Sequence, residues 1–465
     1  VNTDSDSNPD SKKAVSTPTP EDEAADTITE VSPGIFGFPI ASWFRAGREG
    51  TWIIFCQIMI ALAGLVGVRI LTELTPKDVL GEATLLLGIC MIGRNILVAP
   101  LTNAQIRFHP TYLAKGHAEW FTREMARFIW LATSVLMVIA MLALLSWRWI
   151  EGPHVSLLLL PAIALYTAVE SSKAIRLNHM SAERIRRNPA LWSSTEAWLI
   201  IGGVAIAMSL SKTTESYLLG FAIATFICLI IFGFIFYRPV HPDLPTTSYE
   251  SRRELLRKVI RFGAPLVPVA IVSWVSNLGD RYFLGMYLGT EDVGLYAAAY
   301  GLASRPILMV SSVLSGFARP ILFHADSVGQ VQKSARIFKL WVGLTALTTV
   351  CGVAMFVVFG GWVGDFFLAK TYREGTHLIF VWVSAGYALF TIGQVLEIEL
   401  ASKHRNMAVL WPSILGAVVN IALNLILIPR NGIHGAAQAT TGAFAVQLLA
   451  LTLALRYRTP FEGKS

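Results

Sequence analysis

The sequence predicts an all-α, polytopic membrane protein of about twelve transmembrane helices in two related six-helix halves. Three observations carry this prediction. Of the 465 residues, 54% are hydrophobic and only 15% charged, with a mean hydropathy of +0.55, far more apolar than a soluble domain. The chain also supplies about twelve apolar runs of the roughly 20 residues that take a helix across a hydrocarbon core of about 30 Å. Finally, one phrase occurs twice, each time joining two such runs. It runs from Arg69 through Thr75, Pro76, Lys77, Asp78 and Val79 to Gly81 and Gly88, and again from Arg281 through Thr290, Glu291, Asp292 and Val293 to Gly294 and Gly301. Internal repeats of this kind recur in transporters, whose substrate site lies between the halves.

Residues 1–33 are rich in Ser, Thr, Pro, Asp and Glu and bury too little to fold alone, so a disordered cytoplasmic tail is expected over 1–41. No basic start leads into an apolar core there, and the first helix is expected to act as its own insertion signal. The spans fall at about 52–71, 79–100, 128–147, 155–175, 191–210 and 216–237, then at 262–287, 293–318, 340–361, 376–400, 408–428 and 434–455. Between the two sets lies a cytoplasmic linker at 238–261, with Pro239, Pro242 and Pro245 ahead of a basic run from Arg252 to Lys258. The domains are therefore an N-lobe at 42–237 and a C-lobe at 262–465 with a short cytoplasmic C-terminus. Six helices return the chain to its starting side, which makes the repeat parallel, about an axis along the membrane normal. Ahead of the third span, Trp120, Phe121, Met125 and Phe128 are set among Glu119, Arg123, Glu124 and Arg127, as expected of a short helix lying on the inner interface.

Charge distribution sets the orientation. With the first helix starting inside, the cytoplasmic loops and ends near the membrane hold twenty-six Lys and Arg, and the outer loops hold six: Lys77, Arg148, Lys212, Lys370, Arg373 and Arg430. The positive-inside rule then places both termini in the cytoplasm. These loops account for the net charge of +7 without nucleic acid. Cys56, Cys90, Cys228 and Cys351 sit singly in different runs, read as inert packing residues, and show no metal-ligand spacing. The outer loops are too short for a catalytic domain and no nucleotide-binding loop is visible. Neither an enzyme, a cofactor nor direct ATP use is expected.

Arg69, Arg94, Arg281 and Arg305 fall within apolar runs, where a central Arg is unfavourable by about 2.5–3.5 kcal/mol and must face a partner, a watery cavity or an interface. Arg69 and Arg281 lie near the outer ends, within snorkelling reach of the interface, whereas Arg94 and Arg305 lie deeper. Arg305 precedes Pro306, which frees a carbonyl and favours a bend; it is the first candidate for binding an anion, an internal ion pair with a glutamate being the other reading. Ser273, Ser276, Asn277, Asp280 and Arg281 form one polar stripe at steps of three and four. Asp280 and Arg281 diverge by about 100° and need not pair with each other. Glu170, Glu196, Glu397 and Glu399 share a depth towards the cytoplasmic side, where they either neutralise cations such as Arg94, meet the interface, or take up a coupling proton. Asn420 and Asn424, four apart, suit interhelical hydrogen bonds as readily as substrate contact.

The stretch from Leu423 to Thr440, with Pro429, Asn431, Gly432, Gly435, Ala436 and Ala437, resembles the closing helix hairpin of the bacterial polysaccharide transporters and lipid-linked oligosaccharide flippases. Their superfamily also holds lipid II flippases and multidrug and toxin extruders. The segment from Gly263, Pro265 and Pro268 through Asp280, Arg281, Tyr282, Phe283 and Gly285 to Gly294, Tyr296 and Ala297 is similar to the start of that family's second half. Arg107 with Phe108 and the basic loop from Arg176 to Arg187 also look like family features, so the resemblance covers about 42–456. It implies a V-shaped pair of lobes around a cavity that opens alternately inward and outward. It further implies a bacterial cytoplasmic-membrane protein that flips a polyprenyl-pyrophosphate-linked glycan for surface polysaccharides such as lipopolysaccharide or exopolysaccharide. The implied partners are that glycan, membrane lipids, and a polysaccharide polymerase or chain-length machinery. By depth, the resemblance assigns Arg305, Arg281, Arg69 and Arg94, in that order, to pyrophosphate or sugar contacts. Asn277, Asp280 and Asn424 are further cavity candidates, and Glu170, Glu196 and Glu397 are coupling or structural carboxylates. An ion-coupled drug extruder of the same fold would need a cavity of carboxylates and aromatics. A membrane-embedded glycan polymerase would need a sizeable outer loop with catalytic Arg or His. A sugar porter would carry a Gly, Asp and Arg signature that the loop from Leu101 to Arg127 lacks.

Overall fold

Within a bilayer every backbone amide must be satisfied by the chain itself, which for apolar runs of this length means helix. The computed structural model describes residues 40–151, 156–183, 185, 187–236, 250–403 and 405–456, and among them there are helices and no strand. The expected tail at 1–41 lies outside the described residues, except for the helical start at Ile40 and Ala41. In order the helices are α1 (Ile40–Leu74), α2 (Lys77–Leu97), α3 (Ala99–Ala114), α4 (Ala118–Glu151), α5 (Leu159–Ala182), α6 (Arg187–Leu210), α7 (Thr214–Ile235), α8 (Arg252–Gly263), α9 (Leu266–Tyr287), α10 (Thr290–Ser327), α11 (Val331–Phe367), α12 (Thr376–Ser402) and α13 (Asn406–Arg456), with a 3₁₀ turn at Lys370–Tyr372.

Among the described residues nine helices are long and apolar enough to cross a membrane, or ten with the bent pair α8 and α9 counted as one span, and the longest, α13, is two helices meeting at a break. Gly432 there takes φ 59° and ψ −137°, just after Pro429 has removed a donor. The other eight of the nine are α1, α2, α4, α6, α7, α10, α11 and α12. Side chains such as Leu210, Phe234, Met286 and Val358 stand mostly exposed, as lipid-facing residues do. The protein is thus a multi-pass membrane protein.

Each lobe packs on itself first. In the N-lobe, α6 and α7 cross at Gly203 and Gly220, where a Cβ added to either would fall 2.7 Å from the carbonyl oxygen of the other. In the C-lobe, α12 packs on α10, α11 and α13, and α13 packs on α9. The lobes meet chiefly through α2 and α10, the helices opened by the repeated phrase. Gly81 and Gly294 face each other there. A Cβ on Gly81 would lie 1.8 Å from the Thr290 carbonyl oxygen, and one on Gly294 would lie 1.9 Å from that of Lys77. Each carbonyl belongs to the residue one turn before the opposite glycine, so the contact is reciprocal, as a two-fold relation between the halves requires.

Further bonds surround this crossing. The Tyr372 hydroxyl donates to the Thr75 carbonyl at 2.9 Å, the Ala369 amide to Thr72 Oγ1 at 3.1 Å, and Arg69 Nη1 to the Leu368 carbonyl at 2.6 Å. Deeper, Tyr282 donates to the Leu85 carbonyl at 2.8 Å and Trp274 Nε1 to that of Gly88 at 2.9 Å. Among the described residues, the hydrogen bonds between spanning helices of the two lobes lie between this turn end and roughly mid-span. The turn end is sealed.

The opposite, basic end differs from the sequence expectation in two places. His117–Arg127 does not lie apart as an interfacial helix; it forms the opening turns of the 34-residue α4. Phe121, Met125 and Ile129 recur every four residues and are all fully buried, so one continuous face passes from the span into this extension. The linker is also more ordered than a loop from Arg252 onward, while 238–249 lies outside the described residues. Ser251 and Glu254 make a reciprocal capping box that starts α8, whose Leu255 and Val259 pack on Ala104, Tyr112, Phe121 and Met125. Tyr112 donates to Glu250 at 2.6 Å and Lys258 bonds it at 2.7 Å. Burial works against the Glu250 charge, but these donors hold its carboxyl below the usual range. Between α8 and α9 the chain bends by 42° at Ala264 and Pro265.

The crossing makes a testable demand. Gly81→Ala should destabilise the purified protein by about 1–3 kcal/mol, as overpacking against backbone does. Gly202→Ala, where an added Cβ meets nothing within 4 Å, should leave thermal unfolding unchanged or slightly improved. Equal behaviour of the two variants contradicts the crossing.

Candidate functional site

Between the lobes lies a cavity of about 670 Å³, lined from both by α1, α2, α6, α7, α10 and α12. Its wall is mostly small or apolar, with Gln57, Thr72, Thr84, Tyr217, Ser311, Ser312, Ser315 and Gln394 as polar points. Arg305 is the only charged residue among the described residues that line it, and no carboxylate joins it there. The guanidinium is exposed to the cavity and donates from Nη1 to the Gly64 carbonyl at 2.8 Å. A Cβ added at Gly64 would lie 2.9 Å from Arg305 Cδ, so a larger residue there would oblige the arginine side chain to shift. A wall of aliphatic, aromatic and small side chains around one cation with no carboxylate beside it can receive an anion, with hydroxyls and amides left for neutral polar groups.

The other intramembrane charges are placed differently. Arg94 pairs with Glu170 inside the N-lobe; Lys173 bonds Glu170 at 2.5 Å and Glu196 at 2.8 Å. Two bases thus meet two acids. Arg69 lies at the sealed end, bonded to the Leu368 carbonyl and 3.3 Å from Glu73. Glu397 accepts from Gln447 at 3.0 Å in the C-lobe, and Glu399 pairs with Lys403 on α12, so the four glutamates do not form one cluster.

Arg281, the repeat partner of Arg69, does not share its surroundings. It is buried within the C-lobe, its Cζ 4.5 Å from the centre of the Tyr300 ring. Nη1 donates to the Asn277 carbonyl at 2.8 Å and reaches Asp280 Oδ1 at 3.3 Å, so the two neighbours pair after all. The Arg side chain is long enough to bridge the 100° between them. Asp280 Oδ2 accepts from Tyr296 at 2.7 Å and from Thr440 at 3.5 Å, and the Tyr300 and Tyr387 hydroxyls lie 3.0 Å apart. Asn277 bonds Ser273, and Asn424 is wholly buried with its amide on Asn420. Of the residues singled out in the sequence, then, the structure brings Arg305 to the cavity lining, while Arg94, Arg69, Arg281, Asp280, Asn277 and Asn424 lie outside that lining.

Sequence reasoning passed over Gln57, Gln394 and the serines. A signal for the serines existed: Arg305, Ser312 and Ser315 recur at helical spacing on α10 with Leu308 and Met309 between, all lining the cavity.

These environments separate by mutation. Asp280→Ala strands a buried guanidinium and should cost about 3–5 kcal/mol of stability, read as lost folded protein in detergent. Arg305→Ala removes one hydrogen bond from a wetted side chain and should cost about 1 kcal/mol or less.

No curated protein matches the chain by sequence. Among solved structures, it is similar to an inward-facing multidrug resistance MATE family transporter of the MOP superfamily, with a TM-score of 0.66 and 13% identity over 88% of this chain and 97% of that one. It is similar to the lipid II flippase MurJ in an inward closed conformation, with a TM-score of 0.67 and 13% identity over 88% and 87% of the chains. The Vibrio cholerae MATE transporter VcmN aligns with a TM-score of 0.61 and 13% identity over 88% and 96%. At such identity these likenesses establish the fold alone. Residues 46–325, more than half of the chain, match the polysaccharide biosynthesis protein family, and the chain belongs to that family.

Proposed function

We propose that the protein flips a polyprenyl-pyrophosphate-linked oligosaccharide across the bacterial cytoplasmic membrane by alternating access, for surface polysaccharide assembly. One observation carries the reading: the cavity between the lobes presents a single cation, Arg305, and no carboxylate among its described lining residues. A pyrophosphate matches that charge, and Gln57, Gln394 and the serines match sugar hydroxyls. The polyprenyl tail stays in lipid. A fold that also serves a lipid II flippase is consistent with such a cargo.

The orientation follows from the basic end, where Arg252, Arg253, Arg257, Lys258 and Arg261 stand exposed on α8. Facing the cytoplasm, this end gives the cargo its entry, and the sealed turn end faces out. An inside-negative potential favours outward movement of the anion by up to about 2.3 kcal/mol per charge per 100 mV. The same fold in multidrug transporters supports an extruder as the second reading, but a cationic drug would have to sit beside Arg305 without a counter-charge.

Deleting the protein should accumulate the lipid-linked oligosaccharide on the inner leaflet. Wild type should restore export, Arg305→Lys in part, and Arg305→Ala at a tenth or less at equal expression. Normal export by Arg305→Ala contradicts the site. Altered drug tolerance with every surface glycan intact favours the extruder.

A further inference from the structure

The basic end of the N-lobe holds a cluster that translocation does not use. His109 on α3, and His179 and Glu183 one turn apart at the end of α5, each bring a donor atom within 4.8 Å of the other two. His179 Nε2 lies 3.3 Å from Glu183 Oε1, and the rings of His109 and His179 meet edge to face with centroids 5.1 Å apart. We propose that these three residues form a binding site for one divalent transition-metal ion of the zinc class, tying α3 to α5.

The donor set decides the class of ion. Two imidazole nitrogens and one carboxylate oxygen suit borderline-soft zinc, with a fourth position left for water, whereas calcium and magnesium take mainly oxygen ligands. The three donor atoms already lie within 4.8 Å of one another, and ligands of a tetrahedral zinc sit about 2.0–2.2 Å from the ion. Position adds to chemistry. His179 lies in the last turn of α5 and Glu183 is its C-cap, so the carbonyl end of that helix turns its partial negative charge towards the site. His109 is 2% exposed, while the His179 and Glu183 side chains retain 18% and 19% exposure, leaving a route for the ion from the aqueous face.

The site has a structural consequence. α3 also carries α8, the helix that leads into the C-lobe, through Ala104 and Tyr112. An ion joining α3 to α5 therefore fixes the platform on which that connection rests, at a distance from the cavity lining.

The test uses the full chain in detergent, stripped by a chelator and titrated with Zn²⁺ alone by calorimetry, with Co²⁺ absorption as the probe of geometry. One ion per chain is expected, with the intense visible bands of a four-coordinate Co²⁺ site. His179→Ala and Glu183→Gln should each weaken binding at least tenfold, and His324→Ala on α10 should leave it unchanged. Metal-free Glu183→Gln should melt like metal-free wild type, and added Zn²⁺ should raise the Tm of wild type only. Absence of stoichiometric Zn²⁺ from wild type, or unchanged binding in the His109→Ala and His179→Ala double variant, overturns the proposal.

Discussion

Two helices cross at two glycines, and the rest of the molecule is arranged about that point. Gly81 and Gly294 each approach the backbone carbonyl one turn before the other, closer than any side chain would permit. In a membrane, where lipid is as apolar as leucine, such backbone approach supplies attraction that side-chain burial cannot, through dispersion and Cα–H to carbonyl contacts. A contact made by small residues is also one that can separate without stranding buried charge. Around it lie hydrogen bonds whose partners on one side are mostly main-chain carbonyls: Thr75, Leu85, Gly88 and Leu368. A seal of this composition suits the opening that the proposed alternating access requires.

The charges are distributed to complement it. Arg94, Lys173, Glu170 and Glu196 neutralise one another within the N-lobe, and Arg281 with Asp280, Tyr296 and Thr440 does so within the C-lobe. Buried networks of this kind resist being pulled apart, because a lone ion in low dielectric is costly. Neither crosses between the lobes. Each lobe is therefore held together by its own ions, whereas Arg305, the one charge among the described residues lining the cavity between them, has no carboxylate beside it there; under the proposed function it is left for a ligand. One pattern describes both: the charges inside a lobe are paired, and the one lining the cavity among the described residues has no acidic partner there.

Much of this was legible in the sequence, for reasons that can be named. The all-helical class and the membrane setting follow from hydrophobic run length, which is local. The repeated phrase marked Gly81 and Gly294, but their contact needs the lobes to face each other, which no local pattern states. Likewise, depth along a helix set Arg94 and Arg305 deeper than Arg281, and only the partner helices show what each one meets: Glu170 on α5 for Arg94, Tyr300 on α10 for Arg281, Gly64 on α1 for Arg305. Lys173, close to the end of the 155–175 run, was not among the intramembrane charges singled out, so the fourth member of the N-lobe network went unseen. The opening of α4 was misread because charges among aromatics suggest an interface, while the four-residue spacing of Phe121, Met125 and Ile129 already implied a helix continuous with the span. His109 and His179, seventy residues apart, have no spacing to read at all.

The account rests on the turn end opening while the lobes move as bodies. In a background lacking the four native cysteines, spin labels at Asp78→Cys on α2 and Lys370→Cys on the 3₁₀ turn place one probe on each lobe at exposed positions beside the seal. Pulsed dipolar spectroscopy in lipid should give one short distance without cargo, and a second, longer population once lipid-linked oligosaccharide is present. A single unchanged distance under conditions in which the labelled protein transports would contradict the account.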